Sequence, residues 1–326
     1  MNQMRAAIMR GFLAGSALSA TGAAERVLLL PPRVELRLSQ IAAYGNEHRL
    51  TTQGVPFVHA SDPRLLELAP AVAGEWFIYR MKSPHRTVED INAGWAQLAA
   101  RRNEIRGPLG TMTALDSLAM GISAPFSGEE NPHYFDDMAL ARAAALAALG
   151  SDDDLVRGDA ENTHALDGVW CALATARFLR RLIAGDGMQL AIDAARSALP
   201  PESWSERQVS RAMEAVQVAP SSIDAVIAAD SVVDHIYSFA AQAPDTLALL
   251  LAHASQASDA PDLLLRAAGH ARNSGVLLPL AAATAAVAFG DSWVPEASPA
   301  LRGICFPEFD GLTFDAVTAE LEGMGR

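Results

Sequence analysis

Apolar side chains recur at helical spacing along almost the whole chain. In HALDGVWCALATARFLRRLIAG (164–185), Leu166, Val169, Trp170 and Leu173 fall three and four residues apart, and Gly185 stands where a helix would end. FDDMALARAAALAALG (135–150) opens with acids, which suit the positive end of a helix dipole, and stops at Gly150. APDTLALLLAHASQAS (243–258) puts Pro244 in a first turn, where a missing N–H is harmless. Ser221 and Ser222 are placed to cap a helix running through IDAVIAADSVVDHIYSFAAQ (223–242). Ser274 to Gly290 carries no charge, yet falls short of the roughly 20 residues a membrane span needs and contains Pro279. It is predicted to be a central buried helix. The least regular region is 30–62, with Pro31, Pro32, Gly45, Gly54 and Pro56, followed by loops at 107–111 and 124–135. With no linker-like stretch and no fixed-period repeat, the prediction is one all-α domain over residues 1–326.

Composition sharpens this picture. Half of the 326 residues are hydrophobic, alanine is abundant and aromatics make up only 6%. Alanine costs least in a helix and lets backbones approach, so closely packed helices are favoured over sheets. The net charge of −13 argues against a nucleic-acid or anionic-membrane surface, which needs clustered Lys and Arg. Arg101-Arg102 and Arg180-Arg181 are short basic runs that read as solvated helix faces. The N-terminal MRAAIMRGFLAGSALSATGAA has the outline of a secretory signal, but Arg10 splits its apolar part. A buried first helix is expected instead, with Gly11 and Gly15 permitting close helix contact. Cys171 and Cys305 have no metal-like spacing, so both are expected as free thiols in a cytoplasmic protein.

The common chemical signatures are missing. The chain has no phosphate-binding Gly-Lys-Ser/Thr loop, no HExxH, no CxxC and no GxSxG. GDGMQ (185–189) reads as a helix-ending turn. His164, beside Asn162 and Thr163, reads first as a cap or packing residue and second as a ligand contact; His270 is similar. Asp136-Asp137 and Asp152-Asp153-Asp154 are expected to be N-terminal helix charges, not metal ligands.

Taken in order, several segments resemble the ADP-ribosylglycohydrolase family, the all-α fold of the dinitrogenase-reductase-activating glycohydrolase. GFLAGSALSA (11–20) is similar to the family's G-x-x-x-G-D-A-L-G helix, with Ser16 at the Asp position. HASDPRLLELA resembles its T-D-D-T segment, with Ala60, Ser61, Asp62 and Pro63 at those four positions. DSLAMGISAPF (116–126) resembles the G-N-G-x-A-M-R-x-x-P loop, keeping Ala119, Met120 and Pro125 but carrying Asp116, Ser117 and Gly121 at changed positions. ENTHALDG resembles the family's Thr-His helix opening. ARNSGVLLPLAAATAAVAFGDSWVPE resembles the G-G-D-T-D-T motif and its long helix, placing Asn273, Ser274, Gly275 and Val276 at D-T-D-T. Phe135-Asp136-Asp137-Met138 is rejected as the T-D-D-T equivalent, because it follows the Ala-Met loop instead of preceding it.

The resemblance implies a cleft for ADP-ribose or a related glycoside and, in the family, a pair of magnesium ions held by the two carboxylate motifs. Here only Asp62 is acidic among those eight positions, too little for two ions that demand oxygen ligation anchored by carboxylates. The expectation is therefore no metal cofactor. Asp62 is the candidate catalytic residue, and Ser16, Ser61, Asp116, Ser117, Met120, His164, Asn273 and Ser274 are candidate ligand contacts. The expected ligand is ADP-ribose or a nucleoside-like molecule, with room for a protein partner and no nucleic acid or membrane. Three functions compete: a degenerate pocket protein without glycohydrolase activity, placed first; a metal-independent hydrolase acting on an N-glycosidic or nucleoside-like bond; and a purely structural role in an assembly.

Overall fold

The computed structural model describes residues 3–19, 72–233, 241–270, 272–294, 301–313, 315–317 and 319–320. Fourteen α-helices lie among them, with no named strand. They are α1 (Gln3–Ser19), α2 (Val72–Lys82), α3 (Val88–Ala100), α4 (Leu109–Ala119), α5 (Phe126–Glu129), α6 (Met138–Leu149) and α7 (Asp153–Ala160). They continue with α8 (Asp167–Ile183), α9 (Met188–Arg196), α10 (Trp204–Gln217), α11 (Ser222–Asp230), α12 (Ala243–Gln256), α13 (Ala260–Gly269) and α14 (Ser274–Ala288). The all-α expectation holds, and none of the described helices is long and apolar enough to cross a membrane.

α14 is the axis of the packing, touching α1, α2, α6, α8, α12 and α13. Its composition explains this: uncharged residues bury all round, so the helix needs neighbours on every side. Its most extensive contact is with α1. A methyl group at Gly11 would lie 2.6 Å from the Ala282 carbonyl oxygen, and one at Gly15 would lie 2.6 Å from Ala282 Cβ. The two glycines thus set the approach of the helices, as their spacing predicted.

The expected caps are also present. The Ser221 hydroxyl accepts the Asp224 N–H, Asp152 accepts the Leu155 N–H at 3.0 Å, and Gly150 and Gly185 end their helices at φ 82° and 87°. One helix is shorter than expected. α11 ends at Asp230, where the Ser231 hydroxyl turns back onto the Ala228 carbonyl at 2.7 Å; residues 234–240 lie outside the described part.

Inside this apolar frame sits an ion triad. Asp159 takes Arg142 Nε at 2.7 Å and Arg80 Nη1 at 3.1 Å, and Trp95 Nε1 donates to it at 3.0 Å. All four side chains are buried, and the Arg142 guanidinium stacks over the Trp95 ring. Burial works to raise the Asp159 pKa, but the two arginines and the hydrogen bonds outweigh it and hold the carboxyl below its ordinary range. A second buried carboxylate, Glu75 on α2, accepts the backbone N–H groups of Ile304 (2.9 Å), Cys305 (2.7 Å) and Phe306 (3.3 Å). It clamps the C-terminal segment, whose Phe306 ring packs on Trp76 and Tyr79. Cys171 and Cys305 are both buried free thiols, as expected.

Candidate functional site

Several helix starts meet at one polar centre. Asp137 N–H bonds the Ala241 carbonyl at 3.2 Å, and Ala243 N–H bonds the Phe135 carbonyl at 2.8 Å, pinning the starts of α6 and α12 side by side. From α12, the Thr246 hydroxyl donates to Asp137 Oδ2 at 2.9 Å; from the start of α14, Asn273 Nδ2 donates to Thr246 Oγ1 at 3.0 Å. Asp137, Thr246, Asn273 and Ser274 are all buried. The cluster is thus a relay of amide, hydroxyl and a single carboxylate across three helices.

A second chain adjoins it. Asp136 Oδ1 accepts the Met138 N–H at 3.0 Å and faces His164 Nε2 at 3.0 Å, while the Asp136 carbonyl lies 2.9 Å from the same nitrogen. Facing two acceptors, Nε2 is the nitrogen that carries hydrogen. His164 Nδ1 sits 2.6 Å from Thr163 Oγ1, which in turn accepts Arg142 Nη2 at 2.6 Å. The line Asp136–His164–Thr163–Arg142–Asp159 therefore runs without a break into the ion triad. Burial would raise the Asp136 pKa; the charge and hydrogen bond of His164, helped by the Met138 N–H, pull it below the carboxylate norm instead. Asp136 Oδ2 is buried without a hydrogen-bond partner. It lies so close to Gly110 that a Cβ there would approach it to 2.2 Å, so only glycine fits.

His164 also borders a cavity of about 440 Å³, within the size range of small-molecule sites. Glu129, Tyr134, Arg157, Glu161 and Trp170 supply its other polar and aromatic walls, with Pro125 and Leu166 at its apolar side. Glu161 is pushed above its ordinary pKa by burial, against the lowering pull of Arg157, with Glu129 adding to the rise. Leu166 has φ 46°, a left-handed conformation that a bulky residue holds only under constraint from its surroundings.

Asp62 and Ser61 lie outside the described residues. Of the other candidates, His164 borders the cavity, Asn273 belongs to the polar centre, and Ser274, the next residue, is buried at the start of α14. Ser16 is buried in α1 and accepts the Gly74 N–H at 3.0 Å, joining α1 to α2. Asp116 sits on α4 with its side chain half exposed, paired to Arg102 at 2.6 Å, and Met120 is 73% exposed. Neither these two nor Ser117 lines the cavity, although Pro125 of the same segment does. His270 lies off the centre: its Nε2 is 2.7 Å from His253 Nε2 and its Nδ1 3.2 Å from Asp230. From the sequence, Asp136 and Asp137 read only as N-terminal helix charges and Thr163 only as a neighbour of His164, while Thr246 is not singled out. The adjacent acids of Asp136-Asp137 were the available signal, and Asp137 makes no side-chain cap bond of the kind that would explain it as an ordinary helix start.

The family model for ADP-ribosylglycohydrolase matches residues 58–317, well over half of the chain. The chain belongs to the ADP-ribosylglycohydrolase family. A solved structure described as an ADP-ribosylglycohydrolase-related protein complex aligns over 100% of both chains with a TM-score of 0.60 at 16% identity, a likeness of fold. No curated protein matches the sequence. Against the magnesium pair of ADP-ribosylglycohydrolases, the donors at the start of α14 fit poorly. Asn273, Ser274, Gly275 and Val276 offer an amide and a hydroxyl, and the Asn273 amide nitrogen is turned to Thr246. Among the described residues no three His, Cys, Asp or Glu side chains gather as a cation site would need.

Proposed function

We propose that the protein is a family member that holds a nucleoside-like ligand or ADP-ribose beside His164 and does not perform magnesium-dependent glycohydrolysis. The observation that carries this is the relay Asn273–Thr246–Asp137. Where two divalent ions would require several carboxylates, the start of α14 contributes a neutral amide that donates to Thr246, and Thr246 in turn donates to the one carboxylate of the relay, Asp137. Neutral amide and hydroxyl oxygens compete poorly with water for an ion that sheds its hydration reluctantly. The cavity bordered by the Thr-His segment supports retention of binding.

Thermal shift with ADP-ribose, adenosine nucleotides and free nucleosides, each with and without magnesium, tests this directly. A bound ligand stabilises the fold by mass action, about 2.7 kcal/mol at a hundredfold excess over Kd. The expected outcome is stabilisation by one of these ligands, independent of magnesium. Stabilisation that needs magnesium, or magnesium-dependent release of ADP-ribose from a modified target, contradicts the proposal.

A second reading has an observation of its own. His164 borders the cavity with both ring nitrogens fixed, by Asp136 and by Thr163, an arrangement suited to orienting a ligand in a metal-independent hydrolase of an N-glycosidic bond, with Asp62 as the candidate general base. Release of free base from a nucleoside in the presence of chelator, abolished by His164→Ala and by Asp62→Asn, would favour it over pure binding.

A further inference from the structure

The cavity beside His164 has a charge balance opposite to that expected for a diphosphate ligand. Its walls carry two carboxylates, Glu129 and Glu161, and one guanidinium, Arg157, which stands at 3.9 Å from Glu161 with its side chain about half exposed. Glu161 is half-buried, so its charge acts through less water than that of a surface acid. Trp170 and Tyr134 add two aromatic rings, whose faces attract cations. Among the lining residues no second Lys or Arg is available to neutralise phosphate. Leu166, at φ 46° and 57% exposed, also lines the cavity, so the constrained turn contributes an apolar wall and not another charge.

Resting on the proposal that this cavity binds a nucleoside-like ligand, we infer that it selects a phosphate-free organic cation, a cationic N-riboside or aromatic amine, over anionic ADP-ribose. Glu161 supplies the counter-charge, assisted by Glu129, and the Trp170 ring supplies the contact surface. Burial, with a smaller push from Glu129, disfavours the ionised Glu161 carboxyl, and a cation held beside it would favour that charged form. Arg157 reaches Glu161 only at 3.9 Å, a long i to i+4 contact, with its side chain about half exposed.

Isothermal titration on the full chain tests the inference with three probes: nicotinamide riboside as the cation, inosine as the neutral nucleoside and ADP-ribose as the anion. The cation should bind about tenfold more tightly than inosine, and raised salt should erode that preference. Glu161→Gln should abolish most of the preference by weakening the cation far more than it weakens inosine, with the melting temperature near that of the parent. Trp170→Phe should weaken all three probes less than Glu161→Gln weakens the cation alone. ADP-ribose binding as tightly as the cation overturns the inference yet leaves the proposal of a nucleoside-like site standing. Binding by none of the three overturns both. A cation preference unchanged in Glu161→Gln assigns the selectivity elsewhere and also overturns the inference.

Discussion

At the scale of single residues, the buried charges dominate. Asp159 neutralises two arginines that have no water to fall back on, so Asp159→Asn leaves Arg80 and Arg142 as uncompensated buried cations. Breaking a buried pair in this way costs about 3–5 kcal/mol, and chemical denaturation of the variant should show a loss of that size. A near-parental midpoint would mean that the triad is not buried as described. His253 gives a pH-dependent counterpart. Burial first, then the nearby His270 and Arg266, hold its pKa well below the ordinary value of 6.5. The unfolded chain therefore binds a proton that the folded chain refuses. Stability contributed by neutral His253 is complete above about pH 6.5 and falls away as pH drops below it. Asp230 and His270 face the same site. Denaturation midpoints should decline between pH 7.5 and 5.5, and His253→Gln should flatten that slope; an unchanged slope would remove His253 as its source.

At the scale of elements, the contact between α1 and α14 is the most exacting. Neither helix has room to shift, because the Gly11 and Gly15 surfaces rest against backbone and β-carbons of α14. Ala286→Asp should destabilise severely, by about 3 kcal/mol or more, since it places a lone charge at a site only 2% exposed. If that variant melts like the parent, α14 is not central. The C-terminal segment depends on a different device. Three N–H groups bind one carboxylate, and hydrogen bonds to a charged group are worth about 1.5–3 kcal/mol. Glu75→Gln should speed amide exchange at Ile304 and Cys305 while exchange in α6 stays as in the parent; equal exchange at the two amides would deny the clamp.

At the scale of the whole molecule, what was legible in the sequence was what local spacing controls. The uncharged run of α14, the paired glycines of α1, the cap serine of α11 and the glycines ending α6 and α8 each state their structural role within a few residues. The site was harder to read because its partners are far apart in the chain. Asp137 meets Thr246 and Asn273 only after α12 and α14 have packed, and Asp136 meets His164 across the turn before α8. A pair of acids opening a helix looks the same whether it caps or joins such a network. Asp116 and Met120 illustrate the converse: similarity to a loop motif drew attention to side chains that α4 and its following turn direct toward solvent.

The family's chemistry and the proposed function of this chain separate on one point, the response to magnesium. The eight positions that resemble the two metal motifs retain a single carboxylate, and in the described part of the centre Asn273 donates to Thr246, which donates to one further carboxylate, Asp137. Isothermal titration of magnesium chloride into the metal-free protein, with melting temperature followed in parallel, is the most direct measurement. No saturable heat and an unchanged melting temperature at millimolar magnesium are the predicted result. Two magnesium ions bound per chain, with a matching rise in melting temperature, would contradict it.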